Sequence, residues 1–205
     1  MRRPSLVLLT ALVLLSGLAG GGAAAQEAAE PVTVAAGGLV NPRGFAWDAA
    51  GAMVVAEAGT GGETASDEVP PPTGPYRGGP TARVSRIEGG CAVAVAEGLP
   101  SAVSASGETL GAADVALVGD RLLVLVAGGG AAHGDPDRPA GVYEPRDGQV
   151  TLVADLSAFL RGNPVGAPPP VDPDPDGVLA SMLPTPAGAL YVGCLLYTSP
   201  SPRDS

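Results

Sequence analysis

Three glycines, Gly51, Gly119 and Gly188, stand 68 and 69 residues apart, and each interrupts the same pattern of a short apolar run, a turn and a second apolar run. The segments concerned are 42–56, 111–125 and 177–192. Two apolar runs joined through such a turn form a β-hairpin, because glycine reaches positive φ where other side chains are strained. A second pair repeats between these hairpins. Residues 82–96 lie over residues 140–154, 58 positions on, with Gly89-Gly90 and Asp147-Gly148 at the same place. Dipeptides of this kind mark two-residue hairpin turns. Two hairpins per period make four antiparallel strands, and a repeated four-stranded unit buries its apolar faces only by stacking on its neighbours. The fold class expected is therefore all-β: a β-propeller, six-bladed when complete, of which this sequence holds about two and a half four-stranded antiparallel blades.

The period exceeds a usual blade because two segments interrupt it. Residues 60–80 contain Gly61-Gly62, Pro70 to Pro72 and Gly78-Gly79-Pro80, and residues 128–139 are glycine-rich and then acidic. Both read as irregular surface loops. Residues 32–39 resemble residues 92–99, the outermost strand of the first blade, and are expected to be the strand that completes the last blade of a closed ring.

The two ends read as something other than fold. Arg2 and Arg3 precede an apolar stretch at 6–18, followed by Ala23, Ala24 and Ala25, the pattern of a secretory signal peptide over residues 1–25. The apolar stretch is shorter than the roughly 20 residues a membrane span requires. The expected location is secreted or cell-envelope, with no membrane span after cleavage. At the other end, residues 194–205 back-translate to TGT CTC TTA TAC ACA TCT and onward, which is similar to the transposon-end and adapter DNA of sequencing libraries. They are set aside as not native, leaving residues 26–193 as the partial propeller domain.

A formal charge of −10 without a single lysine gives no electrostatic footprint for nucleic acid or anionic lipid. With Cys194 set aside only Cys91 remains, so no internal disulfide is expected. Cys91 reads as a small residue at a strand start. The one histidine, His133, lies in the second loop with no nucleophile motif beside it.

The chain resembles the ScyD/ScyE family of NHL-like propellers. The resemblance is carried by GLVNPRGFA at 38–46 with VVAEAG at 54–59, GPTARVSR at 79–86 with EGLPS at 97–101, GAADV at 111–115 and VADL at 153–156. It implies an exported propeller and establishes no reaction. The chain departs from the resemblance in its proline-rich stretch at 161–176.

Propeller sites lie where polar groups from several blades converge on the channel or on one face. The candidate ligand-binding residues are Asn41 and Arg43 before the first strand, Glu57 at the end of the second, and Asp114 in the next blade. Glu57, Asp114 and Asn41 offer oxygens suited to Ca²⁺, but three ligands fall short of the six or more it takes. Turn bonding and capping of strand ends is the preferred reading. The acidic run at 172–177 reads as an extended solvated turn, and Gly128 to Gly130 as a loop. Two classes of function remain: a scaffold binding a small molecule, glycan or protein, and a metal-assisted hydrolase, lactonase or lyase of the six-bladed propeller type. Secreted material is expected to start at Gln26. Intact mass of the exported chain checks this, and a start at Met1 contradicts it.

Overall fold

A computed structural model describes residues 32–164 and 174–195. Residues 1–25, the expected leader, lie outside the described residues, as do residues 196–205 of the segment set aside as not native. In chain order the strands are β1 (Pro42–Trp47), β2 (Met53–Glu57), β3 (Thr64–Ser66), β4 (Tyr76–Glu88), β5 (Cys91–Ser104), β6 (Thr109–Leu110), β7 (Ala112–Val118), β8 (Arg121–Val126), β9 (Gly141–Arg146), β10 (Gln149–Asp155), β11 (Leu179–Pro184) and β12 (Leu190–Cys194). A 3-10 turn covers Ala131–His133 and a short helix, α1, covers Leu156–Gly162. Among the described residues no helix is long and apolar enough to cross a membrane.

The chain is all-β and the named strands pair antiparallel. The first sheet runs β1-β2-β4-β5-β6 with β3 alongside β4; the second runs β10-β9-β8-β7; the third is the hairpin β11-β12. Every turn read from the repeat closes a hairpin. Trp47 pairs Met53 around Gly51, Val118 pairs Arg121 around Gly119, and Pro184 pairs Leu190 around Gly188. Glu88 pairs Cys91 around Gly89-Gly90, and Arg146 pairs Gln149 around Asp147-Gly148. Asp147 and Gly148 both have positive φ, at 53° and 75°, as a two-residue turn of this hand requires.

Alternation along β8 explains how the sheets stack. Val124 and Val126 belong to one apolar cluster with Val54, Ala56, Val84 and Leu99 of the first sheet. Leu123 and Leu125, on the other face, join Leu179 and Met182 of β11. Successive strand side chains point to opposite faces, so a run that is apolar throughout is buried on both. The second sheet is thus the middle layer.

Both expected surface loops prove more ordered than their composition suggests. Residues 60–80 contain β3, and Tyr76 to Pro80 are the first part of the long strand β4. Gly78 and Gly79 are there because neighbours come too close for a side chain: a Cβ on Gly78 would sit 2.3 Å from the His133 carbonyl. Residues 128–135 are mostly buried, including His133. Glycine and proline commonly break strands, whereas here glycine permits close backbone packing. The first sheet accordingly has two short strands beyond the four expected.

Residues 32–39 form no named strand; Gly37 makes a single parallel bridge to Cys91, with Val32 and Val34 exposed. Cys91 opens β5 and is exposed. Cys194 closes β12 opposite Leu179, and the Leu195 N–H donates to the Val178 carbonyl at 2.9 Å.

Gly111, between β6 and β7, separates two kinds of glycine. A Cβ there would lie 2.0 Å from the Ala58 carbonyl oxygen, whereas one on Gly119 would meet nothing within 4 Å. Gly111→Ala is expected to cost about 2–3 kcal/mol through forced backbone displacement. Gly119→Ala should cost only about 1 kcal/mol, for its positive φ. Urea midpoints of the two variants check the order.

Candidate functional site

The first strands of the three sheets neighbour one another in succession, β1 against β7 and β7 against β11. Asp114 of β7 ties them. Its Oδ2 accepts from the Met182 N–H at 2.8 Å and its Oδ1 from the Val115 N–H at 2.9 Å. Gly44 of β1 leaves the room: a Cβ on it would lie 2.0 Å from Asp114 Oδ1. A pocket of about 290 Å³ opens beside this junction, bounded by Arg43, Glu108, Leu110, Ala127 and Val178 among others, and by Leu195 of the segment set aside as not native. Its walls are largely alanine, glycine and aliphatic side chains.

Arg43 stands within β1 rather than before it, and its Nη2 donates to the Thr109 carbonyl at 2.7 Å. The other described arginines, Arg77, Arg83, Arg86, Arg121, Arg138, Arg146 and Arg161, all sit in ion pairs. Among the described residues Arg43 has no carboxylate within ion-pair distance, although the chain is strongly acidic.

Glu57 and Asn41 serve the strand ends. Glu57 is fully buried. Its Oε1 accepts from Arg83 Nε at 2.8 Å and from Ser85 Oγ, and its Oε2 accepts from Arg83 Nη2 at 2.9 Å and from the Val40 N–H. Burial pushes the carboxyl up, but the Arg83, Ser85 and Val40 donors more than offset it and hold it below its ordinary value. Asn41, with φ of 50°, donates from Nδ2 to the Gly59 carbonyl at 2.7 Å. Of the four residues singled out in the sequence, only Arg43 borders the pocket, and the other three are engaged in holding strands together. As a calcium set they do not fit, because the oxygens of Glu57 and Asp114 already face protein donors. Among the described residues no group of three or more His, Cys, Asp or Glu is placed to hold a metal.

The segments that follow Ala127 and precede Val178 carry a buried polar cluster that the sequence did not reveal. His133 is completely buried. Its Nδ1 lies 2.7 Å from the Gly129 carbonyl and its Nε2 2.7 Å from Asp174 Oδ2. Burial pushes the imidazole down, but Asp174, the Gly129 carbonyl and the Asp176 charge together raise it above its ordinary value. Asp174 Oδ1 also accepts from the N–H groups of Asp176 and Gly177, at 3.0 and 3.2 Å. Asp176 takes both Arg161 Nε and Nη2 at 2.8 Å, and the Ala132 N–H at 2.9 Å. Arg161 Nη2 continues to Glu68 Oε2 at 2.8 Å.

This corrects the reading of 172–177 as a solvated turn: Asp174 and Asp176 are buried, while Asp172 and Pro173 lie outside the described residues. The partners are distant in sequence, so composition alone carried no signal of the pairing. The glycines carried a faint one, since a Cβ on Gly130 would lie 2.3 Å from Asp176 Oδ2.

No family model, curated protein or solved structure matches the chain.

Asp176→Asn removes the charge facing Arg161. The expected cost is about 2–3 kcal/mol, below the range for a fully buried pair because Arg161 keeps partial access to water. Burial pushes the Asp176 carboxyl up, yet Arg161, the Ala132 N–H and Ser157 hold it below its ordinary value. Its contribution is therefore present above about pH 4 and lost as pH falls through the lower folded value. Thermal melts should show an acid limb that is shallower in Asp176→Asn than in the wild type.

Proposed function

We propose that the chain belongs to an exported β-propeller of the ScyD/ScyE type that acts as a ligand-binding scaffold, with the ligand held where the inner strands converge. Four-stranded antiparallel meanders recurring on a sequence period favour a propeller, and so does the succession of first strands β1, β7 and β11. Apolar side chains also remain exposed on both outer faces of the stack, Phe45 and Trp47 on one and Leu183 and Tyr191 on the other. Further blades of the same kind would cover them.

The observation that carries the binding reading is Arg43. In an acidic chain where the other described arginines are neutralised by carboxylates, this one borders a pocket of about 290 Å³ with its guanidinium anchored, among the described residues, to a carbonyl alone. A guanidinium in that position selects a ligand bearing a carboxylate, phosphate or other anionic group, through charge-assisted hydrogen bonds. The alanine and aliphatic walls accept its apolar part. The metal-assisted hydrolase, lactonase or lyase reading gains no comparable support from the described residues.

Calorimetric titration with glucuronate and with inorganic phosphate tests the proposal. Arg43→Ala is expected to weaken binding of the preferred anion about ten- to a hundredfold, the loss of one charge-assisted bond. Its stability should stay within about 0.5 kcal/mol of wild type, because Arg43 is exposed. Equal affinity in wild type and Arg43→Ala would remove Arg43 from the site.

A further inference from the structure

His133 is held between two acceptors. A carbonyl oxygen, that of Gly129, faces Nδ1 at 2.7 Å, and a carboxylate oxygen, that of Asp174, faces Nε2 at 2.7 Å. A neutral imidazole carries one N–H and one lone pair. Were His133 neutral and Asp174 ionised, one ring nitrogen would present its lone pair to an oxygen lone pair in a site closed to water. Satisfying both contacts requires one more proton, on the ring or shared with the carboxylate. The pair therefore closes with a proton that it loses when it opens.

The two acceptors belong to two different segments. Gly129 and His133 lie in the 128–139 loop, which is otherwise closed on itself by bonds between Gly130 and Asp135. Asp174 lies in the 174–177 turn that leads into β11. We infer that the His133–Asp174 pair is a proton-dependent latch, tightening the junction of the 128–139 loop with the 174–177 turn while the extra proton is bound and loosening it, with the Ala132 N–H to Asp176 bond left to hold it, as the proton leaves.

The surrounding charges leave His133 as the group that responds. The 3-10 turn packs on β3, β4 and β5. β3 brings no titratable side chain. From β4, Tyr76 sets its ring edge-on to the imidazole at 4.9 Å, and Arg77 is paired with Glu63. The part of β5 alongside carries serines. Asp176 adds negative charge on the 174–177 side and is itself held by Arg161, which also bonds Glu68. On the loop, Asp135 is paired with Arg138. Tyr143, whose hydroxyl donates to the Pro139 carbonyl, is pushed up to about 12 by burial and stays neutral throughout.

The direction follows from the imidazole being held protonated in the closed form. Closure is complete below about pH 6.5, the ordinary imidazole value, and weakens as pH rises toward the folded value of His133. Over that interval the closing equilibrium falls by about tenfold per pH unit, and above it no further.

The chain has one histidine, so its ring signals are unambiguous. Imidazole ¹H–¹⁵N spectra of the full chain, followed from about pH 5.5 to 9.5, give its midpoint, while amide hydrogen exchange over the same range reports protection of 128–135 and 176–177. The expected result is a midpoint above about 6.5. Protection of these two segments, corrected for the intrinsic rate, should fall through the titration while the strands β7 to β9 stay protected. His133→Gln, which does not titrate, should remove this pH dependence. A midpoint at or below the ordinary value, protection indifferent to it, or loss of protection everywhere at once would overturn the latch. The wild-type titration decides even where His133→Gln does not fold.

Discussion

Burial of β8 on both faces is the constraint on which the other layers depend. An isolated four-stranded meander has one covered face at most, and a strand with leucines and valines on alternating sides then leaves one set in water. Here Val124 and Val126 meet the first sheet while Leu123 and Leu125 meet β11, so neither face is spare. That demand brings three consecutive units of the repeat together. It also brings their first strands into register at one place, which is where Asp114, Gly44 and Arg43 gather. The pocket is thus a by-product of stacking rather than of any local motif.

The chain stacks its sheets with few large side chains. It has 2 Phe, 1 Trp and 4 Tyr against 31 Gly, so close backbone approach replaces bulky filling. Gly111 on Ala58, Gly78 on His133 and Gly130 on Asp176 each bring chains nearer than any side chain would permit. Where the backbone comes this close, its N–H and carbonyl groups need partners as well. The Ala132 N–H finds Asp176 and the Gly129 carbonyl finds His133. The buried charges are therefore tied to the glycine packing: short contacts create polar vacancies that a carboxylate and an imidazole then fill.

These same facts set what was legible in the sequence. Hairpins are local, and five turns could be placed because Gly51, Gly119, Gly188, Gly89-Gly90 and Asp147-Gly148 state their own geometry. Asn41 and Glu57 stand at strand ends, where the sequence places them, although their partners Gly59, Arg83 and Ser85 are 18, 26 and 28 residues away. The segments at 60–80 and 128–139 were misjudged because glycine has two meanings, a turn or a close approach, and only the neighbour tells which. Asp174 and Asp176 were misjudged because prolines dominate their surroundings, while the partners that bury them, His133 and Arg161, stand 41 and 15 residues away. Of the pocket, Arg43 was legible as a candidate; its lack of a carboxylate partner was not.

The pocket lining and the buried cluster share two stretches of chain. Ala127 lines the pocket and Gly128 begins the loop that carries His133; Val178 lines it and Gly177 ends the turn that carries Asp174. Arg43 belongs to β1 and is anchored to the Thr109 carbonyl. In the proposed reading the charge that would select a ligand rests on a strand of the first sheet, while Ala127 and Val178 of the pocket lining adjoin the loop and the turn that the His133–Asp174 pair joins.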